Sequence, residues 1–307
     1  MRKILPLLIL VGFSFNVYSQ EFNEQDVLKY VKILSHDFLE GRKTGTKGNE
    51  MARKLIEEHY KKHKLKNFNI NNTYTHPFAY NNDKEGKNVL GYIPGVKNQD
   101  QFIVMSAHYD HLGKTEDGRI YHGADDNASG VGGLLAAIEY FSANPPENSI
   151  LFAAFDAEEL GLQGSRAFVN NPPVTLDKVL VDINMDMIGR NAQKELYACG
   201  TRYYPFLKKY IDGCCTNIEG VKLLFGHDSP AKSNPSNDWT EASDHGPFHQ
   251  KKIPFIYFGV EDHEDYHKPT DEFDKIDRSF YLSSVRLVIS AARAFDKNSV
   301  DIKSQRK

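Results

Sequence analysis

Four apolar runs in this chain end in residues that bind metal or move protons. His108 and Asp110 follow QFIVMSA (101–107), and Asp156, Glu158 and Glu159 follow ILFAAF (150–155). Asp186 closes the apolar stretch at 179–185, and an acidic, His-rich segment ending at His267 follows IPFIYFG (253–259). A fifth group, Asp125 and Asp126, stands just before a run of small residues beginning at Ser129. Imidazole and carboxylate without thiolate is donor chemistry that suits Zn²⁺. Two such ions about 3.5–4 Å apart need one bridging carboxylate and a terminal set on each side. Two histidines, one shared Asp and further carboxylates meet that need. In the pair Glu158-Glu159, one carboxylate can hold metal while its neighbour takes a proton from an attacking water. Asp110, two residues beyond His108, is placed to hold the other nitrogen of that imidazole.

Each element also has an ordinary explanation. Asp and Asn before a helix serve as caps, and paired glutamates commonly begin a solvated helix. Asp186 is harder to explain this way, because its neighbours Ile183, Met185, Met187 and Ile188 are apolar. A carboxylate there is costly to bury unless it is paired or bound to metal. The joint placement of all these groups at strand ends is what argues for a site.

The elements that must position them follow from periodicity. Residues 24–35 and 46–64 have helical spacing, and HDFLEGRKTGTKG (36–48) between them reads as a solvated, Gly-rich connection. Strands are expected at 88–93, 101–107, 150–155, 179–185 and 253–259, with helices at 129–141 and 279–295. Apolar strands alternating with helices predict an α/β three-layer sandwich: a mostly parallel, mixed central sheet flanked by helices. Such sheets form their sites outside the carboxyl ends of the strands. The polar, Trp-containing stretch 226–250 is a candidate lid or pocket wall. No repeat or linker divides residues 21–296, which are expected to form one domain, followed by a loose polar tail at 297–307.

Bulk properties narrow the function. The 307 residues carry 38 Lys and Arg against 41 Asp and Glu, a net charge of −3, which offers no basic bias for nucleic acid. Arg2 and Lys3, the apolar run Ile4 to Phe15, and Val17-Tyr18-Ser19 together read as an export signal over residues 1–20. The run falls short of the about 20 apolar residues that a membrane span needs. The expectation is export to a periplasm or the medium, without stable membrane insertion. Three cysteines permit one disulfide, most simply Cys199 with Cys214 or Cys215, and the absence of CxxC pairs excludes a structural zinc knot.

The motifs SAHYDHLG (106–113), GADDNASG (123–130), FDAEELGLQGS (155–165), NMDMIG (184–189) and YHKPTDEFDKID (266–277) occur in this order. Over roughly residues 85–295 the chain resembles the co-catalytic di-zinc exopeptidases typified by bacterial leucyl aminopeptidases. That family also contains glutaminyl cyclases and some carboxypeptidases. The resemblance implies two Zn²⁺ per chain and peptide substrates with a free N-terminus. It implies His108 and Asp186 on one ion, Glu159 and His267 on the other, Asp126 bridging, and Glu158 as general base. Asp126 is preferred to Asp125 because the family's bridging Asp directly precedes the Asn-small-Ser-Gly turn, often through a cis peptide bond. His267 is preferred to His263 because Tyr266-His267 precedes Pro-Thr-Asp. In SDHGPF (243–248), His245 is implied to contact substrate or its oxyanion. His111, His122 and His263 receive no role. The rival readings are a glutaminyl-peptide cyclotransferase, a single-metal carboxypeptidase or other amidohydrolase, and a non-catalytic binding protein. The last is disfavoured because all six positions are intact.

Overall fold

The computed structural model describes residues 21–68, 71–80, 84–215, 217–229 and 237–306. The segment read as an export signal lies outside these residues.

The central sheet has eight strands: β1 (Thr75–Tyr80), β2 (Lys84–Ile93), β3 (Asn98–His108), β4 (Asn148–Phe155), β5 (Val179–Met185), β6 (Glu195–Cys199), β7 (Lys222–Phe225) and β8 (Phe255–Gly259). Their order is β1-β2-β4-β3-β5-β8-β6-β7. The middle four, β4-β3-β5-β8, are mutually parallel. Strands β2, β6 and β7 run against them, since β2 is antiparallel to β4, β6 is antiparallel to β8 and β7 is parallel to β6, while the edge strand β1, antiparallel to β2, runs with the centre. The sheet is therefore mixed with a parallel centre, as the sequence predicts. The strands β1, β6 and β7 escape a sequence reading because they are short and carry half-exposed polar residues that blur the alternation.

The central strands are apolar on both faces because helices cover both. Ile150, Phe152 and Ala154 of β4 pack into the larger core with α1 (Glu24–Leu34), α2 (Lys47–Lys62), α3 (Gly130–Ala143), α5 (Pro205–Cys215) and α7 (Arg278–Lys297). The alternate residues Leu151, Ala153 and Phe155 face α4 (Gln163–Asn170) and α6 (His245–Gln250), where Phe168 and Phe248 complete an aromatic cluster. Capping sets the helix starts. Asn23 accepts the N–H groups of Gln25 and Asp26, Thr46 accepts that of Asn49, and Asp277 accepts that of Phe280.

Three expectations are corrected. The 36–48 segment is only partly solvated: His36, Asp37, Glu40 and Lys43 are exposed, but Leu39, Gly41, Arg42 and Thr44 are buried, and Gly48 packs so closely that a Cβ would lie 1.8 Å from the Leu39 carbonyl oxygen. The tail is not loose: residues Ser299–Gln305 form α8, Ile302 is buried, and Arg306 donates to the carbonyls of Leu176 and Val179. All three cysteines are free. Cys199 packs with Phe255 and Tyr257, whereas Cys215 belongs to the larger core with Ile256 and Phe258. Alternate β8 residues point to opposite faces, so the sheet separates the proposed partners. Among the described residues, no helix is long and apolar enough to cross a membrane.

Tyr281 of α7 is fully buried and donates its hydroxyl to the Ser129 carbonyl at the start of α3, 2.9 Å away. Tyr281→Phe is expected to cost about 0.5–1.5 kcal/mol, one net hydrogen bond. A urea titration should show a lower midpoint at unchanged slope.

Candidate metal centre

The parallel centre of the sheet delivers its carboxyl ends to one edge. His108 ends β3, Glu158 and Glu159 follow β4, Asp186 follows β5, and the loop after β8 brings in His267. The turn before α3 adds Asp126, which is followed by a cis peptide bond to Asn127. Ala157, Met187 and His267 all adopt left-handed backbone angles, with φ of 58°, 57° and 53°. Such conformations cost about 1–3 kcal/mol each and are held only where the surroundings impose them.

The donor atoms fall into two groups. On one side, His108 Nε2 lies 3.3 Å from Asp186 Oδ1 and 3.4 Å from Asp126 Oδ1. On the other, His267 Nε2 lies 3.1 Å from Asp126 Oδ2 and 3.4 Å from Glu159 Oε2. Asp126 thus turns one oxygen to each group. Ligands about 2.0–2.1 Å from a tetrahedral zinc sit about 3.3 Å apart, so these spacings and this N/O donor set fit zinc. Glu158 belongs to the group of His108 and Asp186, with ligand atoms within 4.8 Å of one another. The groups line a cavity of about 530 Å³ walled also by Met187, Trp239, Glu241, Tyr257, Asp262 and Tyr266. The described part of 226–250 therefore supplies pocket wall. A larger open cleft of about 680 Å³, between residues 32–37, 118–122 and 269–274, contains none of these donors.

Burial dominates the electrostatics. It pushes Glu158 well above the ordinary carboxylate range, Glu159 up to about 7, and Asp126 upward, with neighbouring carboxylates adding to each shift. For Asp186, burial is outweighed by His108, which holds it below its ordinary value. His108 is correspondingly raised well above its ordinary value: burial opposes this, and the carboxylates of Asp186 and Glu158 prevail.

The remaining predicted residues are placed as follows. Asp110 reaches His108 chiefly through its carbonyl oxygen, 3.2 Å from Nδ1, while its carboxylate stands 3.7 Å away. That carboxylate instead accepts the backbone N–H groups of Glu158 and Glu159, at 3.0 and 3.4 Å. Asp110 therefore shapes the turn that aims both glutamates. Asp125 faces away from the two groups and accepts from Gly189 N, Ser129 Oγ and His263 Nε2. His122 ties Asp37 to the Pro269 carbonyl. His245 does not reach the cavity wall. It is fully buried, with Nε2 on the Trp239 carbonyl at 2.8 Å and Nδ1 facing Asn184 Nδ2 at 3.3 Å. The expectation of a substrate contact at His245 is corrected: both ring nitrogens are spent inside the protein.

The sequence reading passed over several residues that hold the site. Asp271 accepts the N–H groups of Asp125 and Asp126. Asn127 ties the same turn to β5 through the Met185 carbonyl and the Met187 N–H. Thr44 and Asn49 donate to Asp156, and Thr44 also meets Asp110. Arg42 is fully buried and donates to the carbonyls of Tyr109, Leu34, His122, Gly123 and Asp126. Burial lowers its pKa to about 10, which leaves it charged at neutral pH. The available signal was an Arg in a Gly-rich turn, which is indistinguishable from a surface residue without the contacts.

Fold and site together define an α/β scaffold with two N/O donor groups of a kind that can hold metal. The chain belongs to Peptidase family M28, whose model matches residues 88–292. Aminopeptidase YwaD of Bacillus subtilis is 30% identical over 242 residues, covering 73% of this chain and 49% of that protein. A probable leucine aminopeptidase of Arthroderma otae is 26% identical over 214 residues, covering 66% of this chain and 56% of its own. The chain thus spans about half the length of these curated relatives. Among solved structures, a zinc aminopeptidase from Bacillus subtilis superposes with TM-score 0.67 at 17% identity, over 88% of this chain and 94% of that one. A Bacteroides thetaiotaomicron glutaminyl cyclase bound to N-acetylhistamine gives 0.71 at 18% identity, over 89% and 98%. At such identities the likeness is one of fold.

Replacing Arg42 leaves buried carbonyls without donors and removes a buried positive charge whose field reaches Asp126, Asp271, Asp110 and Glu159. Arg42→Ala is expected to lower the unfolding free energy by about 2–5 kcal/mol, because several buried carbonyls lose their donor at about 1–3 kcal/mol each. Urea unfolding followed by circular dichroism checks it, and a loss below 1 kcal/mol would show the loops to be held by other contacts.

Proposed function

We propose that this chain is an exported di-zinc aminopeptidase whose catalytic domain spans residues 21–296. The observation that carries the reading is the division of Asp126 between two donor groups, one oxygen to each. His108, Asp186 and Asp126 would hold one zinc; Asp126, Glu159 and His267 would hold the second. Zinc bound there supplies Lewis acidity to a scissile carbonyl and makes water acidic enough to attack near neutral pH.

The chain's own groups do the rest. Glu158 lines the cavity beside His108 and Asp186, and its burial makes it a stronger base than an exposed glutamate. It accepts the proton of the attacking water and returns it to the leaving amine. Asp110 fixes the turn that carries Glu158 into the cavity. Glu241 and Asp262 add negative charge to the cavity wall. Even with two zinc ions bound and Arg166 in the wall, the six carboxylates leave the cavity slightly negative, which favours an α-ammonium group over a peptide's C-terminal carboxylate. That polarity supports removal of residues from the N-terminus.

The test uses residues 21–307 with zinc and three peptide sets, beginning with Leu, beginning with Gln, or blocked at the N-terminus. Mass spectrometry should find stepwise loss of N-terminal residues from the first two sets and none from the blocked peptides. Glu158→Gln should cut kcat by about 10²–10⁴-fold while the zinc content stays the same. Loss of ammonia from Gln-starting peptides alone would replace this reading with a glutaminyl-peptide cyclotransferase.

A further inference from the structure

His111 is fully buried at the end of the β3 motif, and its Nδ1 lies 2.8 Å from Glu159 Oε1. It lies 3.6 Å from Asp126 Oδ2, so by distance alone it could join Asp126 and Glu159 as a ligand of the second metal. We infer that His111 is a positioning residue: it donates Nδ1–H to Glu159 Oε1 and leaves Oε2 as the oxygen turned toward the second metal. The inference rests on the two-metal reading.

The alternative is that His111 is itself a ligand through Nδ1. Two observations decide against it. The 2.8 Å spacing is a hydrogen-bond length, shorter than the about 3.3 Å that separates two ligands on one zinc. Glu159 Oε2, by contrast, keeps 3.4 Å from His267 Nε2, the spacing expected of two ligands. The second observation is that His111 Nε2 is buried with no hydrogen-bond partner. Ligation through Nδ1 would put the proton on Nε2, and a buried donor without an acceptor costs about 1–3 kcal/mol. Ligating histidines almost always pass their other N–H to an acceptor, as His108 does with the Asp110 carbonyl. Donation from Nδ1 leaves an unpartnered lone pair at Nε2 instead, which also carries a cost, but orphaned buried acceptors are less rare than orphaned N–H donors.

The ring is held for this task. A Cβ on Gly123 would lie 2.6 Å from His111 Cδ2, so the turn that carries Asp126 closes directly over the imidazole. Gly123 has φ of +58°, and the absence of a side chain is what permits that approach. The Arg42 carbonyl accepts the backbone N–H of His111. With Oε1 pinned, Glu159 meets the second site through one oxygen; without the pin it can rotate away or present both.

The test measures zinc affinity of residues 21–307 by competition with a chromophoric chelator, for the wild type, His111→Leu and His111→Asn. Visible spectra of the cobalt-substituted proteins report the ligand set. The expected result is two zinc ions in the wild type and a second-site affinity weakened about 10–100-fold in His111→Leu. The first site should be unchanged. His111→Asn, whose amide donates from near the position of Nδ1, should recover most of the loss and keep the wild-type cobalt spectrum. If His111→Leu binds the second zinc as tightly as the wild type, the inference is wrong. If His111→Asn is as weak as His111→Leu and its cobalt spectrum shifts, His111 is a ligand and the positioning role is overturned. A wild type that binds one zinc would remove the two-metal reading itself, a result distinct from either variant's behaviour.

Discussion

The structure is organised around keeping several buried carboxylates side by side. Asp126, Glu158, Glu159 and Asp186 share one cavity with two imidazoles, and burial alone raises the free energy of their charged forms. In water such groups would separate. Here each is fixed to a loop that leaves the parallel centre of the sheet, and neighbouring parallel strands bring those loops together. A cation of high charge is the natural complement to that arrangement.

The loops are held by complementary means. Carboxylates behind the site accept backbone N–H groups: Asp271 from the turn of Asp126, Asp110 from the turn of the two glutamates, and Asp125 from Gly189. Arg42 does the reverse and donates to the carbonyls of the same loops. Together these bonds satisfy the polar backbone that left-handed residues such as Ala157 and Met187 turn out of regular structure. Much of this support comes from residues 36–49, which precede the stretch matched by the family model. The support of the candidate metal centre therefore extends further along the chain than the motifs suggest.

Strong, local patterns were legible in the sequence. The apolar runs at 101–107, 150–155, 179–185 and 253–259 form β3, β4, β5 and β8, because fully buried parallel strands must be apolar on both faces. Their polar ends placed His108, Glu158, Glu159, Asp186 and His267 on one edge, where the structure brings them together. Of the adjacent pair, Asp126 faces both donor groups while Asp125 turns to Gly189. Weak patterns were not legible. The short edge strands, the helical tail, and the separation of Cys199 from Cys214 and Cys215 depend on what packs against them.

The sequence by itself determined which residue types can bind metal and that they end consecutive parallel strands, because hydrophobic period and residue chemistry are local properties. Only the tertiary structure decided which nitrogen or oxygen faces which partner. His245 and His111 illustrate the difference. Both sit in motifs that invite a role, yet His245 is turned inward to Trp239 and Asn184, and His111 is turned to Glu159. Arg42 makes the same point from the other direction, as a charged residue in a Gly-rich turn that is fully buried. Side-chain direction is set by long-range packing and by hydrogen bonds between residues distant in sequence, and no spacing rule along the chain contains that information.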